Sequence, residues 1–154
     1  MNYLDNADWS FPVPIYYGPD RVRELPGFCK SNKLNRPLLV TDRSSSDLPF
    51  VKDVLTDLNN SNLKCGLFAE ISPNPVDKEI YEGKLVFNNG NHDSIIAIGG
   101  GSGMDGGKAI SLIANNKLNI WDFEYEQSPN SDLKEFPPLI CIPTTAGTGA
   151  ETES

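Results

Sequence analysis

The stretch Gly99-Gly100-Gly101-Ser102-Gly103-Met104-Asp105-Gly106-Gly107-Lys108 constrains this chain more than any other feature. An apolar run, Ser94 to Ile98, leads into it, and Gly107, Ile110, Ile113 and Ala114 follow at helical spacing. That is the pattern of a buried strand, a tight glycine turn and a helix. In a parallel sheet such a turn lies at the ligand-binding edge. Glycines let the backbone approach an anion closely, and the first N–H groups of the helix, at its positive dipole end, hold it. Ser102 adds a hydroxyl donor.

The rest of the chain repeats the alternation. Pro37 to Asp42, Lys64 to Glu70 and Pro138 to Ile142 are further apolar runs, read with Ser94 to Ile98 as strands buried on both faces. Between them Leu48, Val51, Leu55 and Leu58 form one helical stripe, and Val76, Ile80, Gly83 and Phe87 a second. The order strand, helix, strand, helix, strand, helix, strand implies an α/β fold: a Rossmann-like parallel sheet flanked by helices. Phe11 to Tyr17 reads as a strand before this core, closed by a turn at Gly18-Pro19-Asp20, and residues 115–137 as a surface excursion. No interior domain boundary is visible, so residues 1–154 are expected to form one domain.

Two familiar phosphate motifs fail here. Gly101 to Gly106 fits G-x-G-x-x-G formally, but the Rossmann fingerprint belongs to the first strand, and the acid best placed to read a ribose, Asp42, precedes the glycines. A P-loop needs Gly six positions before its Lys and Ser or Thr after it, where Lys108 has Ser102 and Ala109. A second constellation, Pro143-Thr144-Thr145-Ala146-Gly147-Thr148-Gly149-Ala150-Glu151, follows the last strand and brings hydroxyls and glycines to the same edge. Two such loops suggest one shared ligand.

Charge narrows the partners. With 21 acidic and 13 basic residues the formal charge is −8, which repels phosphodiester backbones and anionic lipid. No apolar stretch approaches the roughly 20 residues a membrane-spanning helix needs. The start Met1-Asn2-Tyr3-Leu4-Asp5 lacks the pattern of a secretory signal, so a cytoplasmic location is expected. Cys29, Cys65 and Cys141, odd in number and widely spaced, read as reduced packing residues.

The two loops together resemble the iron-containing (group III) alcohol dehydrogenase family, whose hallmark is Gly-Gly-Gly-Ser-x-x-Asp-x-x-Lys followed later by Pro-Thr-Thr-x-Gly-Thr-Gly-x-Glu. Both stand here, at residues 99–108 and 143–151. The Val40-Thr41-Asp42 strand end and the Ser72-Pro73-Asn74-Pro75 turn are similar too, so the resemblance runs from about residue 11 onward. It implies a dehydroquinate synthase-like N-terminal domain. Gly100, Gly101 and Ser102 match the loop that holds a dinucleotide pyrophosphate, and Thr144, Thr145 and Thr148 match further cofactor contacts. Asn74 matches a cofactor-binding turn, and Asp42 the acid that meets the adenosine ribose. A carboxylate there favours NAD over NADP, a preference that Arg43 beside it weakens. Asp105, a further cofactor-binding position, and Lys108 complete the signature; three apart on a helix, the two can instead simply pair on its face.

The resemblance also implies a divalent metal, Fe²⁺ or Zn²⁺, that polarises an alcohol or aldehyde oxygen while a hydride passes to or from the nicotinamide. The family holds that metal with an Asp and three His of a helical second half. This sequence has one histidine, His92, in the polar turn Asn88 to Asp93, where it reads as a solvated loop residue. The expectation is a cofactor-binding half of a longer dehydrogenase, without the helical metal-binding domain, without metal ligands or catalytic residues of its own, inactive alone and homo-oligomeric. Alternatives are the corresponding part of a glycerol dehydrogenase or dehydroquinate synthase-like enzyme, and a nucleotide-binding module that has lost catalysis.

Overall fold

The computed structural model of the chain describes residues 7–10, 13–124 and 133–152. A hairpin of β1 (Ala7–Ser10) and β2 (Pro14–Tyr17) opens it, in antiparallel register with Ala7 opposite Tyr17. The expected first strand therefore begins at Pro14; Phe11 and Pro12 lie outside the described residues. A 3-10 turn at Arg21–Glu24 leads into the short helix α1 (Leu25–Ser31).

The core is a parallel sheet of β3 (Pro37–Asp42), β4 (Gly66–Ile71), β5 (Ser94–Gly99) and β6 (Leu139–Pro143), ordered β4-β3-β5-β6. Three helices alternate with these strands: α2 (Pro49–Asn60), α3 (Asp77–Asn89) and α4 (Gly101–Ala114). The two-residue period of a strand sorts the core. On one face Leu39, Ile96 and Ile98 meet Val51, Val54 and Leu58 of α2 together with Leu25 and Cys29 of α1. On the other, Leu38, Val40 and Ile95 meet Ile80 and Phe87 of α3 and Ile110 and Ile113 of α4. A helix as short as α2 is marginal alone. Burying three such side chains, at about 1.5–3 kcal/mol each, is what holds it on the sheet.

Sequence and structure part at the sheet margins. Only β3 and β5 are buried on both faces; the outer strands β4 and β6 are half-exposed, and Leu67 of β4 faces solvent at 40% exposure. An outer strand has a neighbour on one side alone, so an apolar run does not by itself reveal a central position. In α2 Val54 joins Val51 and Leu58 in the buried stripe with Leu55 packed partly against it, whereas Leu48 falls outside because Pro49 occupies the first helical position and leaves Leu48 extended before it. Val76 likewise precedes α3 and is exposed, while the Glu79 carboxylate reaches back to its N–H (3.3 Å). His92 is not a solvated loop residue. It is half-buried, its Nδ1 lies 2.9 Å from the Arg36 carbonyl, and its ring packs near Phe87.

The excursion after α4 contains a second 3-10 turn, Ile120–Phe123, and is tied back by Asn116, whose Oδ1 accepts from the Lys134 N–H (2.8 Å). Its middle, residues 125–132, lies outside the described residues. The three cysteines are free thiols, and burial pushes Cys29 up to about 11 and Cys65 up to about 12, as expected for packing residues. Among the described residues no helix is long and apolar enough to cross a membrane.

Candidate functional site

At the carboxyl edge of the sheet β3 ends in Asp42, β5 in Gly99 and β6 in Pro143. The last Cα pair of β5 and β6 is Gly99 with Pro143, and the ladder continues one step further, the Thr144 N–H donating to the Gly99 carbonyl (2.9 Å). That bond joins the two loops singled out from the sequence. They border one cleft of about 400 Å³ lined by Asp42, Ser44, Ser45, Leu48, Phe50, Pro73, Gly100, Gly101, Ser102, Thr144 and Thr145.

Six of the nine expected site residues therefore meet in this cleft. The other three lie around it. Thr148 sits beside Gly101, its Cγ2 3.8 Å from where a Cβ on that glycine would stand. Asp105 is exposed one turn into α4. It lies near Cys141, whose thiol burial pushes up while Lys108 draws it down and Glu151 and Asp105 add to the rise. Asn74 is exposed on the turn after β4 and does not line the cleft; its neighbour Pro73 does.

The glycine loop is built for close approach. Gly99 has φ +147°, and a Cβ there would stand 3.1 Å from Asp42 Oδ2. Gly100 precedes α4 with no side chain to cap it, so the first N–H groups of the helix, which have no intrahelical acceptor, are left to a ligand. A Cβ on Gly100 would stand 3.4 Å from Thr145 Oγ1, across the cleft floor. The later glycines serve packing instead: Cβ atoms on Gly106 and Gly107 would lie 2.7 Å from Ile71 Cδ1 and 2.5 Å from the Ala97 Cβ. A bare backbone with free donors beside two threonine side chains fits a pyrophosphate.

Asp42 is organised by its own loop. Its Oδ1 accepts from the Ser44 N–H (3.0 Å), the Ser44 hydroxyl and the Ser45 N–H (3.1 Å), and Oδ2 accepts from the Ser45 hydroxyl (2.7 Å). Burial alone would push this carboxyl up, but the hydrogen bonds from Ser44 and Ser45 outweigh it and hold the group below the usual carboxylate range. It is a fixed anion at the cleft rim. Ser102 departs from expectation: its hydroxyl donates to the Pro73 carbonyl (2.6 Å), bracing the turn after β4 against the glycine loop rather than facing an anion.

Sequence reasoning misses Leu48 and Phe50 as site residues. Both are exposed at about 40% on the cleft wall. The available signal is their place beside Pro49, at the start of α2 and off its buried stripe. Among the described residues no three His, Cys, Asp or Glu side chains converge as a metal ion requires, so these residues do not fit the metal the family implies.

A four-stranded parallel sheet covered by helices, with its cleft at the carboxyl edge, defines a Rossmann-like α/β domain. The sequence pattern of the family described as "Iron-containing alcohol dehydrogenase" matches residues 12–154, and the chain belongs to that family. It is 36% identical over 148 residues to the NAD-dependent methanol dehydrogenase of Bacillus methanolicus, which covers 96% of this chain and 38% of that protein. The solved alcohol dehydrogenase from Oenococcus oeni superposes with a TM-score of 0.79 at 31% identity, over 96% of this chain and 37% of that one. The sulfoacetaldehyde reductase from Bifidobacterium kashiwanohense, solved in complex with NAD⁺, superposes with a TM-score of 0.76 at 26% identity, over 87% of this chain and 35% of that one. The chain thus spans little more than a third of the length of these relatives.

Proposed function

We propose that this chain is the dinucleotide-binding domain of a metal-dependent, NAD-linked alcohol dehydrogenase. The observation that carries the reading is the joining of the glycine and threonine loops, by the Thr144 to Gly99 hydrogen bond, around one cleft that also holds Asp42. In this reading the backbone of Gly100, Gly101 and Ser102 holds the pyrophosphate at the start of α4, with Thr144 and Thr145 as hydroxyl donors and Thr148 packed beside Gly101. Asn74 and Asp105 act at the margin of the cofactor. Asp42 accepts from the adenosine ribose hydroxyls, and its fixed negative charge repels a 2′-phosphate, which selects NAD over NADP. Leu48 and Phe50 supply apolar surface for the adenine ring.

When bound, the nicotinamide carries the hydride exchanged with an alcohol or aldehyde. Family membership supports Fe²⁺ or Zn²⁺ as the metal of the whole protein, held outside the described residues. A cytoplasmic homo-oligomer is consistent with such a dehydrogenase.

Calorimetric titration of the chain with NAD and NADP tests the reading. Saturable NAD binding that is weakened at least about tenfold by Gly101→Val supports it, since a branched side chain there would push against Thr148 and force the glycine and threonine loops apart. Equal affinity for the two dinucleotides removes the argument from Asp42, and no binding of either removes the proposal.

A further inference from the structure

The cation nearest the ribose-reading carboxylate in the sequence is turned away from it. Arg43 follows Asp42 directly, and its N–H donates to the Ile71 carbonyl of β4 (2.9 Å). Its guanidinium then reaches two carboxylates: Nε lies 3.2 Å from Glu70 Oε2, and Nη2 lies 3.2 Å from Glu79 Oε1. The two acids differ in standing. Glu70 is exposed, whereas the Glu79 side chain is only 8% exposed. Glu79 is also fixed through its other oxygen, which accepts from the Ser72 N–H (3.1 Å), the Ser72 hydroxyl (2.9 Å) and the Val76 N–H (3.3 Å). It cannot follow Arg43 toward the cleft without abandoning three donors in a buried place.

The cleft itself is lined by Asp42 and by serine, threonine, glycine and apolar residues, with no lysine or arginine among them. A 2′-phosphate on the adenosine ribose carries about two negative charges and requires a cation. Arg43, half-exposed on a long side chain one residue from Asp42, is the group whose position decides whether one is supplied.

We infer that Glu70 and Glu79 are specificity-determining positioning residues: by holding the Arg43 guanidinium on the β4 side of the sheet edge, they withhold it from the ribose pocket and keep the site selective for the dinucleotide without a 2′-phosphate. The inference rests on the proposed dinucleotide-binding role and adds a second layer to it. Asp42 repels the phosphate, and the two glutamates remove the cation that would offset that repulsion. Arg43 beside Asp42 then ceases to be a contradiction in the sequence.

Titration of NAD and NADP against the full chain and four variants decides the matter. Neutralising both acids, Glu70→Gln with Glu79→Gln, is expected to narrow the preference for NAD by about tenfold, the worth of one charge-assisted contact. Adding Arg43→Ala to that pair should restore the original ratio, which a loss of structure at Glu79 would not do. Arg43→Ala alone should leave the ratio unchanged. Glu70→Gln alone, at an exposed position that endangers no folding, should narrow it by about two- to threefold.

A ratio unmoved by Glu70→Gln and by the double change overturns the inference. So does a loss of NADP affinity on Arg43→Ala in the otherwise unaltered chain, because the guanidinium would then already serve the phosphate. If the unaltered chain binds neither dinucleotide, the proposed function itself fails and this inference with it; if it binds NAD while the ratios stay fixed, only the inference fails.

Discussion

The Ser102 hydroxyl donates to the Pro73 carbonyl across 2.6 Å, linking the first turn of α4 to the turn after β4, although 29 positions separate the two residues in the chain. Ser72, at the start of that turn, donates its N–H to Glu79, and its single hydroxyl proton lies between Glu79 and the Asn74 carbonyl, so α3, the turn and the glycine loop are coupled by hydrogen bonds. The cleft between them is preformed in consequence, and binding there loses less ordering entropy than binding to a loose loop would.

Ser102→Ala tests this coupling. Removing one hydrogen bond at a half-buried site is expected to cost about 1 kcal/mol of stability. NAD affinity should fall several-fold, because the Pro73 turn is no longer held to the loop. Chemical denaturation and calorimetry read the two effects separately. An unchanged affinity with reduced stability would assign the serine to packing alone.

Gly99 and Gly147 both have positive φ, at +147° and +97°, but of the two only Gly99 is crowded: a Cβ there would meet Asp42 Oδ2 at 3.1 Å, whereas a Cβ on Gly147 would meet no atom within 4 Å among the described residues beyond its chain neighbours. Gly147→Ala should therefore cost backbone strain only, about 1 kcal/mol. Gly99→Ala adds displacement of a carboxylate already engaged by two serines and should cost about 2–3 kcal/mol. Urea midpoints for the two variants, compared at equal m-value, check the order. Equal losses would remove the role assigned to the Asp42 contact.

The inner half of this fold is legible in the sequence because β3 and β5 are unbroken apolar runs buried on both faces, and because Ile110 and Ile113 keep helical spacing behind the glycines. The margins are not. Leu67 and the residues of β6 carry the same apolar signature as the inner strands, and strand order, which decides what solvent reaches, is a long-range property. The two loops can be read because a strand end followed by glycines and hydroxyls fixes its own geometry. The contacts of Ser102, Phe50 and Glu79 cannot, since each depends on a partner brought close only by the sheet: Pro73, the cleft wall, and Arg43. His92 shows the converse case. A polar turn reads as solvated until the fold lays Arg36 and Phe87 against it.

Asp42 makes stability depend on acid. Its folded value lies below the ordinary carboxylate value of about 3.9, so its contribution is fully present above that pH and is lost as the pH falls through the lower, folded value. Glu79 acts in the same sense: burial pushes its carboxyl up, but the hydrogen bonds from Ser72 and Val76 and the charge of Arg43 outweigh it and hold the group low. Stability measured by urea at successive pH values should fall steeply below about pH 4, and Asp42→Asn should flatten that fall while lowering the neutral-pH plateau. A variant with the same acid slope as the parent chain would show that the Asp42 hydrogen bonds do not favour its ionised form.

Thr41 offers a test with the opposite sign. It is fully buried near the end of β3, and its Oγ1 has no hydrogen-bond partner among the described residues. A buried hydroxyl that has left water without finding an acceptor or donor costs about 1–3 kcal/mol. Valine has nearly the same shape, fills the same space and suits a strand equally well, so Thr41→Val exchanges the stranded hydroxyl for a methyl group at little packing cost. The expected result is a gain of about 1 kcal/mol, seen as a higher urea midpoint with an unchanged m-value. Gly99 lies close by, 3.7 Å from Oγ1 measured to the place of its absent Cβ, so NAD binding should be followed in the same variant. A loss of stability on Thr41→Val would mean that the hydroxyl is satisfied by a water molecule bridging β3 to the glycine loop, and a loss of NAD affinity that this water helps shape the cleft.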